Sequence, residues 1–382
     1  MIKKLYILIF FVVLQTKSND LKVKHNKLKI KMFKQKIFWG IIALATISAS
    51  CSRNAEYIKY SGPTQGTMFN ITYHSDINYN KEIDSLLDNF CRSLSNYDST
   101  SLISRINRNE TDSLDALTEE FFRVSKEVWE NTGGIFDVSV APIVNAWGFG
   151  WVRHEKHIPD SAEIDRLLQH VGLGKIDIAN GKITKKDQDV QIITNAIAQG
   201  MSVDYVSDFF KSKGITDFLV EIGGEIYCSG KNAKGENWKI GVDKPIEGSG
   251  YEYRENQIVI RLSDMAVNTS GNYRKFLEEG EKKYGHSINP LTGYPAENEM
   301  ISATVVYPDC IRADAYATAF MVMGAEKAME IVESINSMEA YFIIHDGNET
   351  KTVESSGFKK YEQSNRAKRR KTEGLFDFTQ HM

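Results

Sequence analysis

ISATVVYPDCIRADAYATAFMVMGAEKAMEIVESINSMEAYFIIH, residues 301–345, decides the fold class. Residues 301–307 are β-branched and apolar and predict a strand, and residues 340–345 predict a closing one. Between them, residues 313–323 and 325–335 carry two helical patterns. Strand, helix, helix, strand is not the βαβ rhythm of a parallel sheet, so the expectation is an α+β fold.

The segments further out agree. Residues 67–73 (TMFNITY) alternate as a strand does, and residues 83–94 have helical spacing. A helix over 117–131 has Glu119 and Glu120 near its positive end, and Asn131-Thr-Gly-Gly134 stops it. Asp160 is a candidate N-cap for a short helix over 161–170, with Glu163 three residues on. Residues 193–214 are apolar, then amphipathic, with Gly214 as the stop. Residues 218–226 (FLVEIGGEI) read as one buried strand, and 238–242 with 257–261 as hairpin-like segments. No short-period repeat is present.

The 382 residues are 42% hydrophobic and 25% charged. This excludes collagen-like, mainly disordered and multi-span membrane classes. The length fits two domains or one large one. A net charge of −3 and a pI near 6.3 give no argument for nucleic-acid binding. The charge is unevenly spread, however. Residues 1–50 hold ten of the 47 basic residues and one of the 50 acidic ones, Asp20. The remainder therefore carries 37 basic against 49 acidic residues, a net of −12.

A basic front on an acidic body points to targeting. Apolar runs at 5–14 and 37–47 follow lysines and are too short for the roughly 20 residues of a spanning helix. The second ends in Ser48-Ala49-Ser50-Cys51, which resembles a bacterial lipoprotein signal with Cys51 as the lipidated residue; Met32 and Met1 are both candidate starts. The expected division is a signal over 1–50, a linker over 51–59, one domain over 60–358 and a disordered basic tail over 359–382. The expected location is the bacterial cell envelope, lipid-anchored and facing the periplasm. Cys91, Cys228 and Cys310 have no metal-site spacing, and buried free thiols are the default.

Several stretches could carry chemistry. Gly133-Gly134-Ile135-Phe136-Asp137 joins a double glycine to a predicted strand whose first residue, Asp137, can accept from a ring N–H. An aromatic cluster, Trp147 and Phe149 among glycines, follows and suits stacking or packing. Asp314 and Thr318 are four apart on one helix face, an oxygen pair suited to a hard cation such as Mg²⁺. His286-Ser-Ile-Asn-Pro-Leu-Thr-Gly293-Tyr-Pro295 makes a rigid turn with a histidine at its start. Thr269-Ser270-Gly-Asn-Tyr-Arg274 suits either phosphate or a hairpin. Walker-type, dinucleotide-fingerprint and nucleophile-elbow motifs do not occur.

Taken together and in this order, the stretches resemble the FAD:protein FMN transferase family, also called the ApbE or thiamine-biosynthesis lipoprotein family. The resemblance runs from about residue 60 to about 358. It rests on Gly66-Thr67, Leu94–Ser101 (LSNYDSTS) before Arg105-Ile-Asn107, and Gly134–Gly150. It continues through Ala196-Ile-Ala-Gln199-Gly200 with Val203-Asp204, Glu221-Ile-Gly-Gly224, Thr269–Arg274, His286–Pro295 and Asp314–Gly324. It implies a two-part α+β domain with a T-fold-like duplication, binding FAD and Mg²⁺. It implies cleavage of the FAD pyrophosphate and transfer of FMN through a phosphoester to a Thr or Ser of a partner flavoprotein, with a respiratory-type subunit as the expected acceptor. By residue match the Mg²⁺ ligands are the Ala196 carbonyl, Asp314 and Thr318. FAD contacts are Gln65, Tyr97, Ile135, Phe136, Asp137, Gln199 and Ile288, with Ser270 and His286 close by. His286 and Asp314 are both candidates for the base that takes the acceptor's proton. The chain departs from the frequent family pattern at three places. Ile193-Thr194-Asn195 stands for Asp-Leu-Gly and removes one carboxylate, Gln199 stands where Lys or Glu is frequent, and Asn289 replaces Asp. The same residues also suit an FAD pyrophosphatase releasing FMN and AMP, or a non-enzymatic FAD-binding lipoprotein.

Overall fold

The computed structural model describes residues 55–152, 158–245, 255–272, 276–279, 282–347 and 349–362. Cys51, the signal over 1–50 and residues 363–382 of the tail lie outside them. Strands β1 (Glu56–Thr64) and β2 (Thr67–Ser75) open the chain as a hairpin. Helices α1 (Asn80–Leu94), α2 (Leu102–Asn107), α3 (Ala116–Asn131), α4 (Ala141–Ala146) and α5 (Ser161–Leu168) follow, then the small hairpin β3 (Ile176–Ala179) and β4 (Lys182–Lys185). Helix α6 (Ala198–Ser212) leads to β5 (Phe218–Ile222), β6 (Glu225–Ser229), β7 (Trp238–Asp243), β8 (Asn256–Leu262) and β9 (Met265–Gly271). Strands β10 (Phe276–Glu279), β11 (Lys282–Gly285) and β12 (Met300–Tyr307) precede α7 (Cys310–Met323), α8 (Ala325–Ser334), β13 (Glu339–Asp346) and β14 (Glu349–Glu354).

One antiparallel sheet runs β1-β2-β5-β6-β9-β12-β13-β14. Its halves repeat one plan. In the first, β1 and β2 are followed by helices and then β5 and β6. In the second, β9 and β12 are followed by α7 and α8 and then β13 and β14. Each half lies in the sheet in its own chain order, and β6 joins β9 at the centre. This duplication gives the α+β fold. Helix α6 packs on β5 and β6, α7 on β9 and β12, and α6 against α7.

Three apolar clusters hold the layers. The largest lies between helices and sheet and includes Phe69, Phe210, Phe218 and Phe320, all nearly inaccessible. Burying one such side chain contributes about 1.5–3 kcal/mol. The second cluster is built by the β7–β8 hairpin through Trp238, Ile240 and Ile260, joined by Phe358 of the C-terminal turn, against sheet residues such as Val267, Val306 and Ile343. A third cluster around Ile143, Trp147, Ile164 and Ile288 underlies the 286–295 turn. Helix α7 is buried along most of its length because small and apolar residues occupy nearly every side of it.

Local signals placed most elements. Asp115 and Thr118 form a reciprocal cap on α3, and Asp160 accepts from Glu163 N–H at the start of α5. Other expectations need correction. Residues 218–226 are two strands, because Gly223 (φ 71°) and Gly224 (φ 116°) adopt a reversal that other residues resist. Residues 133–142 form a turn leading into α4, not a strand: the Asp137 carboxylate takes the N–H and hydroxyl of Ser139 and closes the chain on itself. Residues 193–197 are not helical, and α6 begins at Ala198. Residues 56–59, read as linker, are the first part of β1. Residues 340–345 do not close the sheet, since β14 pairs beyond them. Residues 359–362 belong to the fold rather than to the tail, with Arg261 N–H donating to the Tyr361 carbonyl at 2.8 Å.

Candidate active site

The site forms where α6 begins against α7. Asp204 on α6 accepts from the N–H groups of Cys310 and Ile311, at 2.9 and 2.8 Å, and so caps α7 from outside. Burial pushes its carboxyl up to about 7, opposed by those backbone donors. Asp309 caps the same helix from within, accepting from Arg312 N–H, and Arg312 pairs through two nitrogens with Glu127 of α3. The helix carrying Asp314 and Thr318 is therefore fixed in depth and rotation.

Asp314 is 6% exposed. Burial, and next the charge of Glu225, push its carboxyl well above the usual range. In a regular helix Gly200 N–H would reach back to the Ala196 carbonyl. Here it donates to Asp314 Oδ2 at 2.9 Å. Among the described residues no backbone N–H takes its place on Ala196. A side chain at Gly200 would start 2.5 Å from the Cys310 carbonyl oxygen and 2.7 Å from Asp314 Cβ, so only glycine permits this approach. Thr318 Oγ1 lies 3.4 Å from Ser270 Oγ on β9. A buried carboxylate, a released carbonyl and a hydroxyl are the oxygen donor set that a hard dication takes, and a positive ion would offset the repulsion between Asp314 and Glu225. The residues fit Mg²⁺.

Beside this cluster runs a cleft of about 950 Å³, counting its open mouth. Its walls come from the turn after α3 (Ile135, Phe136, Asp137), the loop before α6 (Asn195, Ala196), Ser270, the turn at His286–Pro290, and Thr318 with Val322 of α7. Trp147 indole N–H donates to the Gly293 carbonyl at 2.9 Å and fixes the 286–295 turn, while His286 meets Phe149 edge to face at 6.4 Å.

The loop before α6 is held by residues far away in sequence. Asn107 donates to the Ile192 carbonyl and accepts from its N–H, at 2.8 and 2.7 Å. Buried Asn96 does the same for Ile192 O and Thr194 N–H, at 2.9 and 2.8 Å. Both asparagines belong to stretches the family resemblance used, but the sequence did not say what they hold.

The structure thus brings Ile135, Phe136, Asp137, Ala196, Ser270, His286, Ile288 and Thr318 into one cleft, with Asp314 behind its wall. Asp137 keeps its place there, yet part of its acceptor capacity goes to Ser139 and to Leu173 N–H. Gln65, Tyr97 and Gln199 do not line it. Gln65 sits in the β1–β2 turn at φ 49°, with a buried Nε2 that finds no hydrogen-bond partner among the described residues. Gln199 lies against the backbone of Gly223. Tyr97 is 66% exposed beside the cleft and accepts a hydrogen bond from Asn195. Tyr273 and Arg274 lie outside the described residues. Glu225 and the capping Asp204 are the electrostatic neighbours that residue spacing did not reveal.

Fold and site together define an α+β protein with a largely apolar cleft whose wall includes Ala196 and Thr318, with buried Asp314 on the same helix as Thr318. The chain belongs to the ApbE family, whose model matches residues 65–342. An FAD:protein FMN transferase of Vibrio cholerae is 34% identical over 332 residues, 84% of this chain and 98% of that protein. One from Haemophilus influenzae is 33% identical over 343 residues, 85% and 98% of the two chains. The solved flavin transferase ApbE from Vibrio cholerae matches with a TM-score of 0.73 at 33% identity, covering 80% of this chain and 99% of that one. The apo form of Pseudomonas stutzeri flavinyl transferase ApbE matches at 0.72 and 26% identity, with 81% and 97% covered.

Proposed function

We propose that this protein is a Mg²⁺-dependent FAD:protein FMN transferase that attaches FMN by a phosphoester bond to a Thr or Ser of a partner flavoprotein. The observation that carries the reading is a largely apolar cleft lined also by Ala196 and Thr318, with the buried carboxylate of Asp314 one helical turn before Thr318 on the same helix and bonded to Gly200 N–H. The cleft suits a flat ring system, and the oxygen cluster suits the pyrophosphate with its cation. Held there, Mg²⁺ supplies charge neutralisation on the phosphates.

The chain's own residues do the rest. Ile135, Phe136 and Ile288 exclude water from the ring site. Gly200 N–H keeps one oxygen of Asp314 occupied and turns the carboxylate toward the cluster. Ser270, beside Thr318, is placed to donate to a phosphate oxygen. Of the two candidate bases we assign His286, because it lines the cleft while Asp314 is committed behind it. The acceptor oxygen bonds to the phosphorus on the FMN side, its proton passes to His286, the pyrophosphate P–O bond breaks and AMP leaves. Lipidation of Cys51 would place this reaction at the envelope membrane, where a respiratory-type acceptor resides; no helix among the described residues is long and apolar enough to cross it.

The test is mass spectrometry of a candidate acceptor after incubation with FAD and Mg²⁺. The expected product is an acceptor heavier by one FMN, with one AMP released per modification. FMN and AMP in free solution with an unmodified acceptor would replace this reading by a pyrophosphatase.

A further inference from the structure

Two loops meet at the cleft mouth, and their side chains alternate. In the first, Ser95 Oγ accepts from the N–H groups of Tyr97 and Asp98, and the Ser101 hydroxyl donates back to the Ser95 carbonyl at 2.7 Å. This wiring sends Asn96 inward, 4% exposed, and Tyr97 outward, 66% exposed. In the second, Thr194 is 3% exposed and Asn195 faces solvent. The inward pair, Asn96 and Thr194, is joined by two hydrogen bonds of 2.8 and 2.9 Å. The outward pair is joined as well, Asn195 Nδ2 donating to the Tyr97 hydroxyl at 3.1 Å. Asn195 also lines the cleft.

We propose that Asn195 is a positioning residue that tethers the Tyr97 ring at the cleft mouth, so that this aromatic face is already in place when the flavin enters. The inference rests on the functional reading above. Its physical content is entropic. An aromatic side chain so exposed samples several rotamers, and ordering it on binding weakens affinity. A bond from the neighbouring loop, which Asn96 and Asn107 hold rigid, removes part of that cost beforehand.

The experiment measures FAD affinity by flavin fluorescence without Mg²⁺, so that neither the metal site nor turnover enters. Asn195→Ala and Tyr97→Phe each remove one end of the tether and keep the ring. Each should raise the dissociation constant about three- to tenfold, the size of ordering one side chain, with less quenching of the bound flavin. The double variant should be no weaker than either single one, because both remove the same interaction. In transfer assays the loss should fall on KM for FAD rather than on kcat, and the unfolding midpoint should not move. Single variants that bind as tightly as wild type, or effects that add in the double variant, overturn the tether alone. A wild-type protein that does not bind FAD overturns the functional reading and the tether with it.

Discussion

A carboxyl group as enclosed as Asp314 is not a comfortable anion. Burial and the charge of Glu225 both favour its neutral form, and among the described residues only Gly200 N–H opposes them by a direct bond. A divalent cation reverses that balance, which makes Asp314 the residue on which metal affinity should turn. Asp314→Asn keeps the shape and should slow transfer by at least ~10²-fold, the scale of losing one preorganised electrostatic contact. FAD should still bind by fluorescence, since the ring site lies elsewhere. Thr318→Val should lose less and recover in part as Mg²⁺ is raised. Wild-type transfer by Asp314→Asn in limiting Mg²⁺ would remove the metal assignment. Asp314 and Thr318 were legible because helical spacing alone puts them on one face. The Ala196 carbonyl's freedom was not, since it depends on where Gly200 N–H points. Asn96 and Asn107 were legible only as parts of a motif: their partners lie 98 and 85 residues away.

Helices α6 and α7 cross at a glycine, and the crossing is part of the site. Gly200→Ala would place a methyl group within contact of the Cys310 carbonyl and Asp314 Cβ, forcing the helices apart. The expected outcome is a destabilisation of about 1–3 kcal/mol, from overpacking, together with weaker Mg²⁺ binding. Denaturant titration and Mn²⁺ binding measured side by side check it, and loss of stability without loss of metal would separate the two. The cap on α7 has its own pH signature. The folded-state pKa of Asp204 is raised to about 7, so between about 4 and 7 the folded protein binds more protons than the unfolded one. Stability from this group is present below its unfolded pKa and falls as pH rises through that window, by up to about 1.4 kcal/mol per unit. Unfolding midpoints from pH 4 to 7 should show a shallower fall in Asp204→Asn; an identical slope would remove the assignment. Helices and their stops could be read from caps and spacing, as Asp160 and Gly214 illustrate. Residues 218–226 could not, because an apolar run with two glycines inside fits one buried strand as well as a tight hairpin.

At the scale of the molecule, strand order was the least legible feature. Residues 301–345 display strand, helix, helix, strand, but not that β9 lies between β6 and β12, which is a matter of pairing between distant segments. The same holds for the first part of β1, residues 56–59, which read as linker until β2 pairs along them. The start of β1 at Glu56 bears on the proposed anchor. If Cys51 carries lipid, labelled fatty acid should enter the protein, and Cys51→Ala should abolish the label; label that persists would end the proposal. Five residue steps separate Cys51 from Glu56, and a chain of that length extends at most about 18 Å. The anchor is then a short leash, and the distance to the bilayer becomes a filter on acceptors. A hydroxyl carried by a membrane-bound protein meets the enzyme at high effective concentration, whereas the same hydroxyl on a freely diffusing protein must find it at the surface. Inserting about 20 flexible residues between Asn54 and Ala55 should relax that filter, lowering the preference for a membrane-bound over a soluble form of one acceptor. An unchanged preference would mean that acceptors are sorted by recognition at the cleft and not by reach.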